Sequence, residues 1–514
     1  LNVVNPFSRP AKRFWNFDHR NTIQLLFLFV PAISGIMNMR LNRHIDGPGG
    51  IRQMVAIALP MVVSSASETA MTFTDRLFLS RLGPEQMSAA MGGGLTCFMM
   101  TTFFLGLTGY TTAIVAQYLG SGRKDRCAIT VTQALLIAVA AYPLVLAARP
   151  LGHLFFDIMH IPAEQLVFQQ QYFNILLYGI VFGLLRNCLS CYFSGLGRTI
   201  IVMVSALTAM VVNVGANYIL IYGKFGAPAL GIRGAALGTI AGSACGLIVV
   251  AAAYLSRRNR EDYNVSQSFN VDWAVMKKLF RYGYPAGLEF FLNMLAFTIM
   301  IFIFCSRGVS TAAAITIVFN WDAVSFVPLI GVNIGVTSLV GRFMGAGDPD
   351  TAHRATLSGL KLAWMYSFGI LIAFAVFPDV LVGVFRPAET TDLYETEVFP
   401  LAVSMLRLAA LYVISDAMFL VFGGALRGAG DTFWAMCISV MFHWLLVAVL
   451  YVLQSWLDTG PLLSWFALCL TFMMFSFAFY LRYHSGKWRT LRVVEPEPEP
   501  TLPVTDAFHE TQTL

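Results

Sequence analysis

Of the 514 residues, 57% are hydrophobic and only 12% charged, and the mean hydropathy is +0.67. Soluble globular chains carry roughly 25% charged residues, so this chain cannot cover itself with polar surface and its solvent is lipid. A net charge of +6 is too dilute over this length for nucleic-acid binding, and the eight cysteines (Cys97, Cys127, Cys188, Cys191, Cys245, Cys305, Cys437 and Cys469) fall in apolar runs without the spacing of a disulfide framework.

Apolar stretches of roughly 20 residues or more, long enough to cross a bilayer, recur along the chain. They are predicted at 53–79, 88–119, 127–148, 169–194, 200–222 and 232–256, then at 279–305, 312–341, 357–377, 398–425, 432–453 and 462–482. The runs are continuous rather than alternating. Backbone groups in lipid must be paired within their own segment, so helices are expected and barrel strands are not. The fold class is an all-α polytopic membrane protein with twelve transmembrane helices.

Basic residues set the orientation, because cytoplasmic loops collect Lys and Arg. With both termini cytoplasmic, the inner loops hold Arg123, Lys124, Arg126, Arg198, Arg257, Arg258, Arg260, Lys277, Lys278, Arg281, Arg342, Arg354, Arg427, Arg482, Lys487, Arg489 and Arg492. The outer loops hold fewer (Arg81, Arg149, Lys224, Arg233, Arg307, Arg386) and an acidic cluster of Glu389, Asp392, Glu395 and Glu397.

The longest polar connection, 257–278, divides the chain into bundles at 51–256 and 279–485 and is expected to be a cytoplasmic linker. The halves repeat one another. Pro60 and Pro285 differ by 285 − 60 = 225, Gly120 and Gly345 by 345 − 120 = 225, and Gly195 and Gly428 by 428 − 195 = 233. Six spans per half make these parallel repeats, two pseudo-symmetric six-helix bundles, and transporters bind cargo between such halves near the midplane.

Both ends read as peripheral. Residues 1–50 carry Arg9, Lys12, Arg13 and Arg20 and a short apolar run near 24–38, interrupted by Pro31 and Gly35. An interfacial helix, a targeting segment, or sequence upstream of a start at Met37 or Met39 all fit; the last is preferred. The tail 486–514, with its EPEPEP run, is expected to be a disordered cytoplasmic segment.

The architecture and an ordered set of strings resemble the multidrug and toxic compound extrusion (MATE) family, in its bacterial drug-efflux branch. The strings are DRLFLSRLG at 75–83, VAQYLGSG at 115–122, SGLGRT at 194–199, NVGANYILIYG at 213–223, LVGRFMGAG at 339–347 and ALRGAGDT at 425–432. The resemblance implies a secondary active transporter in the bacterial inner membrane. It would export amphipathic, often cationic drugs in exchange for H⁺ or Na⁺ by alternating access, with no cofactor, as a monomer.

An ionisable group in hydrocarbon costs about 2.5–3.5 kcal/mol on insertion scales, so each one is a functional hypothesis. Asp75 reads either as a helix-end pair with Arg76 or, as the resemblance implies, as an ion- or proton-coupling acid. Glu68, seven residues earlier on the same face, either joins Asp75 in proton exchange or hydrogen-bonds Ser64, Ser65 or Thr72. Asn213 and Asn217, four apart on one helical face, either glue helices or supply amide oxygens to a hard cation; the resemblance sets them facing the first-helix acid. Asp416 is the strongest candidate of the second half. Nine residues separate it from Arg407, about 13 Å of helix rise, too far for direct pairing. Glu289 lies one turn before the position where the resemblance expects an acid, which Asn293 occupies; Glu289 could take over that role. Asp322, beside Trp321, could hold a cationic drug between carboxylate and aromatic face. Pro60 and Pro285 are expected to kink their helices.

Other classes lack their motifs. GAGD at 345–348 and 428–431 resembles the GxGD of intramembrane aspartyl proteases, but no Tyr-Asp pair accompanies it and both acids fall at predicted helix ends. CLSC at 188–191 stands alone in an apolar helix, and HExxH, GxSxG and GxxxxGK[ST] are absent. A lipid-linked oligosaccharide flippase of the same superfamily would line its cavity with Arg and Lys; here the intramembrane charges are mostly acidic, Arg186 and Arg407 excepted.

Overall fold

The computed structural model describes residues 47–159, 161–386 and 392–494. The expectations for residues 1–46, Glu389 and the EPEPEP tail lie outside these. Among the described residues, helices long and apolar enough to span a bilayer are α1 (Ile51–Ser80), α2 (Glu85–Gly120), α3 (Lys124–Ala147), α4 (Ala163–Gly195), α5 (Thr199–Tyr222) and α6 (Ile232–Tyr254), followed by α7 (Trp273–Cys305), α8 (Val309–Gly345), α9 (Pro349–Val376), α10 (Tyr394–Ala429), α11 (Thr432–Gln454) and α12 (Pro461–His484). Large apolar side chains such as Leu144, Val211, Ile248, Met365 and Met441 stand exposed on their outer faces, as they must where the surroundings are hydrocarbon.

Local chemistry sets the helix ends. Proline opens α9 and α12, where its missing N–H costs nothing. Asp348 caps α9 by accepting from the Thr351 N–H at 2.9 Å, which holds its carboxyl below the usual carboxylate range. Gly430 (φ 102°) closes α10 in the left-handed region that a side chain resists. Pro60 and Pro285 both sit inside helices that continue through them.

Helices α1–α6 form one lobe and α7–α12 the other. Because successive spans alternate in direction, residues 47–50, 120–123, 195–198, 255–272, 345–348 and 485–494 share one end of the molecule, here the terminal end. The lobes meet toward that end by apposition of small residues, which lets backbones approach closely. Gly106 of α2 lies against the backbone of Ala286 and Gly287 in α7, and Gly331 of α8 against that of Val62 in α1. Gly120 abuts the Arg342 carbonyl, and Gly345 abuts the Gln117 carbonyl. These contacts are symmetry mates: 331 − 106, 287 − 62, 345 − 120 and 342 − 117 all equal 225. Gln117 Nε2 donates to the Gly428 carbonyl at 2.8 Å, and Ser338 Oγ to the Ser194 carbonyl at 2.7 Å, fastening the same closure.

The 257–278 connection is tied to the first lobe. Tyr192 OH donates to Asn259 at 3.2 Å, Arg198 pairs with Asp262 at 3.4 Å, and Arg126 pairs at 2.5 Å with Asp272, which also caps α7. The segment 487–494, expected from its polar neighbourhood to be disordered, is instead packed. Trp488 is buried and stacks on Tyr483 at 5.0 Å, Arg489 pairs with Asp350 at 2.9 Å, and Val493 and Val494 join the apolar cluster of Tyr110 and Leu279. Val493 sits against Gly430 near Tyr110 of α2 and Tyr282 of α7, so the strap touches both lobes at their closure. A charge placed there would be buried in apolar packing. Val493→Asp is therefore expected to speed amide exchange over 110–123 by about tenfold or more, with exchange in the lobe interior around 209–217 unchanged; equal rates in Val493→Asp and the wild type would remove the strap's role.

Candidate functional site

The first lobe holds a buried polar cluster in otherwise apolar packing. Asp75, near the far end of α1, is 7% exposed. Asn217 Nδ2 of α5 donates to Asp75 Oδ1, and Thr239 Oγ1 of α6 donates to Oδ2 at 3.1 Å. Asn217 Nδ2 also reaches Asn213 Oδ1 at 3.2 Å, and Asn213 Nδ2 reaches Thr239 Oγ1 at 3.3 Å. Three helices thus converge on one carboxylate, and the four-residue spacing of the two amides does what helix geometry requires. Asn217 Oδ1 is buried without a hydrogen-bond partner. A carboxylate, two amides and a hydroxyl are the donor set of a hard cation or of a proton relay.

Glu68 is not part of this cluster. It turns to the space between the lobes, half exposed, and pairs with Arg186 of α4 at 2.9 Å. Seven residues bring two side chains to the same face, but the face is broad enough that one acid enters the lobe and the other leaves it. Of the hydroxyls near it, Thr72 Oγ1 donates to the Glu68 backbone carbonyl at 3.0 Å and not to its carboxylate.

Between the lobes, beyond the terminal-end closure, lies a cavity of about 1040 Å³. Its first-lobe wall includes Glu68, Arg186, Asn187 and Thr239; its second-lobe wall includes Glu289, Asn293, Asp322, Tyr412, Asp416, Arg427 and His443, with Phe290, Phe297, Phe326, Phe419 and Phe472 among them. Glu289 is buried and pairs with Arg427 at 2.6 Å. Asn293, the repeat mate of Glu68 (293 − 68 = 225), donates to Ser439 Oγ at 2.7 Å. Tyr412 OH donates to Asp322 at 2.7 Å, and Asp416, one turn after Tyr412, keeps a buried Oδ1 with no partner. Arg407 pairs with Asp379, not with Asp416, as their separation along the helix requires.

Trp321 is a correction. Its indole donates to the Leu381 carbonyl at 3.0 Å and its ring meets Phe385 edge-on, and it is not among the residues lining the cavity. Adjacent helical residues point about 100° apart, so Asp322 facing the cavity turns Trp321 toward Pro378–Gly383. Thr239, Tyr412, Arg427 and Ser439 carried no signal of their own in sequence; only the four-residue step from Tyr412 to Asp416 hinted at a shared face. Asp431, the acid of the second GAGD, is held by both Nε and Nη2 of Arg482 at 2.7 and 2.9 Å, a structural clamp at a helix end. Among the described residues no group of three or more His, Cys, Asp or Glu could hold a metal ion.

Known proteins share both sequence and fold with this chain. The family model MatE matches residues 60–219 and 285–453, one match in each lobe. The multidrug resistance protein MdtK of Yersinia enterocolitica is 28% identical over 403 residues, covering 77% of this chain and 85% of that one. A probable multidrug resistance protein NorM of Pasteurella multocida is 27% identical over 403 residues, covering 76% and 84%. An outward-facing structure of a multidrug resistance MATE transporter of the MOP superfamily superposes with a TM-score of 0.77 at 17% identity, covering 87% of this chain and 98% of that one. With two lobes of six helices, a cavity between them and a family match in each, the chain belongs to the MatE family, the multidrug and toxic compound extrusion transporters, which are not enzymes.

Proposed function

We propose that this protein exports amphipathic, cationic drugs across the bacterial inner membrane in exchange for H⁺ or Na⁺, by alternating access with both termini cytoplasmic. One observation supports this most: the cavity between the lobes is acidic in its free charge. Both arginines that line it are balanced by carboxylates, Arg186 by Glu68 and Arg427 by Glu289, which leaves Asp322 and Asp416 in excess among aromatic rings. Such a wall attracts a cation and offers faces for its apolar body. The relatives named above are multidrug resistance proteins, which agrees with this cargo.

With the termini inside, closure at the terminal end makes this conformation outward-facing. Cargo entering from the cytoplasm or inner leaflet requires the opposite state, in which the small-residue contacts of α1, α2, α7 and α8 part. Asp75 with Asn213, Asn217 and Thr239, and Asp416 with Glu289, are the groups assigned to coupling: a cation or proton taken up there favours release of the drug outward. Asn293 lines the cargo side with Asp322. A cavity meant for a lipid-linked pyrophosphate would present unbalanced Arg or Lys, and this one does not.

The test is ethidium transport in inside-out membrane vesicles, driven separately by a Na⁺ gradient and by a pH gradient. Transport with one of them is expected and identifies the coupling ion. No response to either, with the protein inserted, overturns drug–ion exchange.

A further inference from the structure

We infer that Arg186 is an anion-accepting subsite in the cavity wall, the group on the first lobe on which the carboxylate of a zwitterionic cargo docks. This deepens the efflux reading above and rests on it.

A guanidinium carries five N–H donors in a planar fork. Only one hydrogen bond from Arg186 is present among the described residues, from Nη2 to Glu68 Oε1, and its Nε is buried with no partner. The side chain is held from behind, its Cδ lying against Gly246 of α6. The fork is therefore held in place in the cavity wall with donors unspent.

The partner is what makes the site releasable. The Glu68 side chain is 52% exposed, whereas Glu289, which balances the other cavity arginine, is 3% exposed. Arg427 is locked to a buried carboxylate that has nowhere to go. Glu68 can swing into the cavity, or stay on Nη2 while a ligand carboxylate takes the remaining Nη donors; either way an arriving anion meets a guanidinium whose planar fork matches a carboxylate. At rest the pair is neutral, so a purely cationic drug meets no repulsion there. Across the cavity, Asp322 and Asp416 face the amine of the same ligand. A molecule with a carboxylate and an ammonium thus has a place for each on opposite lobes.

The experiment uses one rhodamine dye in two forms, the zwitterionic free acid and its cationic methyl ester, which differ at a single group. Transport of each is measured in vesicles containing the full chain, and binding to purified protein is followed by fluorescence anisotropy. The wild type is expected to move both. Arg186→Gln is expected to lower the free-acid to ester ratio by roughly tenfold or more, in both binding and transport. Glu68→Gln is expected to keep or raise that ratio, because it frees the fork. Arg186→Lys, with a point charge but no fork, should fall between. If Arg186→Gln inserts poorly, the Lys and Glu68 variants carry the test. An unchanged ratio in all variants overturns the subsite, as does a wild type that moves only the ester; a wild type that moves and binds neither form overturns the efflux reading with it.

Discussion

Asp75→Asn is expected to uncouple transport from its ion gradient, reducing gradient-driven ethidium movement by more than about tenfold, while dye binding in the cavity persists. The reason lies in the direction of its hydrogen bonds. Asn217 Nδ2 and Thr239 Oγ1 both donate to Asp75, whose carboxylate only accepts. An Asn there keeps one acceptor and turns an NH₂ toward a second donor. The cluster loses its only negative charge and gains a donor–donor conflict at a buried site, a penalty of about 1–3 kcal/mol for each group left unsatisfied. Asp416, the coupling acid of the second lobe, differs from Asp75 in lining the cavity as well, so Asp416→Asn is expected to behave differently. Asp416 lines the cavity with an unpartnered oxygen, and its loss is expected to weaken cation binding itself as well as efflux. Measuring dye affinity and gradient-driven transport side by side in the two variants distinguishes them. Full ethidium resistance in cells carrying either variant would sink the coupling assignment.

The spans were legible because lipid imposes one strong condition: about 20 apolar residues with paired backbones. Where α7 begins at Trp273 rather than 279, and α9 at Pro349 rather than 357, the first turns carry Lys277, Lys278, His353 and Arg354, so hydropathy does not see them. The acids were legible for the related reason that a carboxylate inside an apolar run is costly. Asp75, Asn213 and Asn217 came together as their spacing and the family strings implied. Their fourth member, Thr239, was silent because threonine is ordinary in membrane helices. Pairing across helices was also out of reach. Glu68 and Arg186 were each conspicuous, yet nothing local says that α1 and α4 bring them within 2.9 Å. Trp321 misled for the opposite reason: neighbourhood along a helix is not neighbourhood in space. The packed strap at 487–494 was hidden by composition, since its apolar residues Trp488, Leu491, Val493 and Val494 are interleaved with Lys487, Arg489 and Arg492. Trp488 is buried by stacking on Tyr483 of α12, whereas the two valines are buried where the lobes meet, a property of the closed state and not of the segment.

Gly120→Val and Gly345→Val are expected to block closure of the terminal end and hold the carrier with that end open. At both positions an added Cβ runs into backbone, the Arg342 carbonyl for Gly120 and the Gln117 carbonyl for Gly345. Backbone cannot rotate away as a side chain can, so relief must come from moving α2 and α8 apart. Overpacking of this kind costs about 1–3 kcal/mol, roughly a 5- to 150-fold shift in the balance of the two states. Because the sites are repeat mates, each variant alone should suffice, and the pair should add little once the helices have parted. Nearby Gly122 and Gly347 supply the contrast: an added Cβ meets nothing there. Their positive φ values of 81° and 75° make a side chain locally strained, but no lobe contact is lost. Amide exchange over 110–123 and 335–348 is expected to rise in Gly120→Val and Gly345→Val and to stay near wild type at the loop glycines. Outward drug release should fail while ethidium binding from the cytoplasmic face remains. If both valine variants transport normally, the lobes do not close by the contact between Gly120 and Arg342, and the alternation must be built elsewhere.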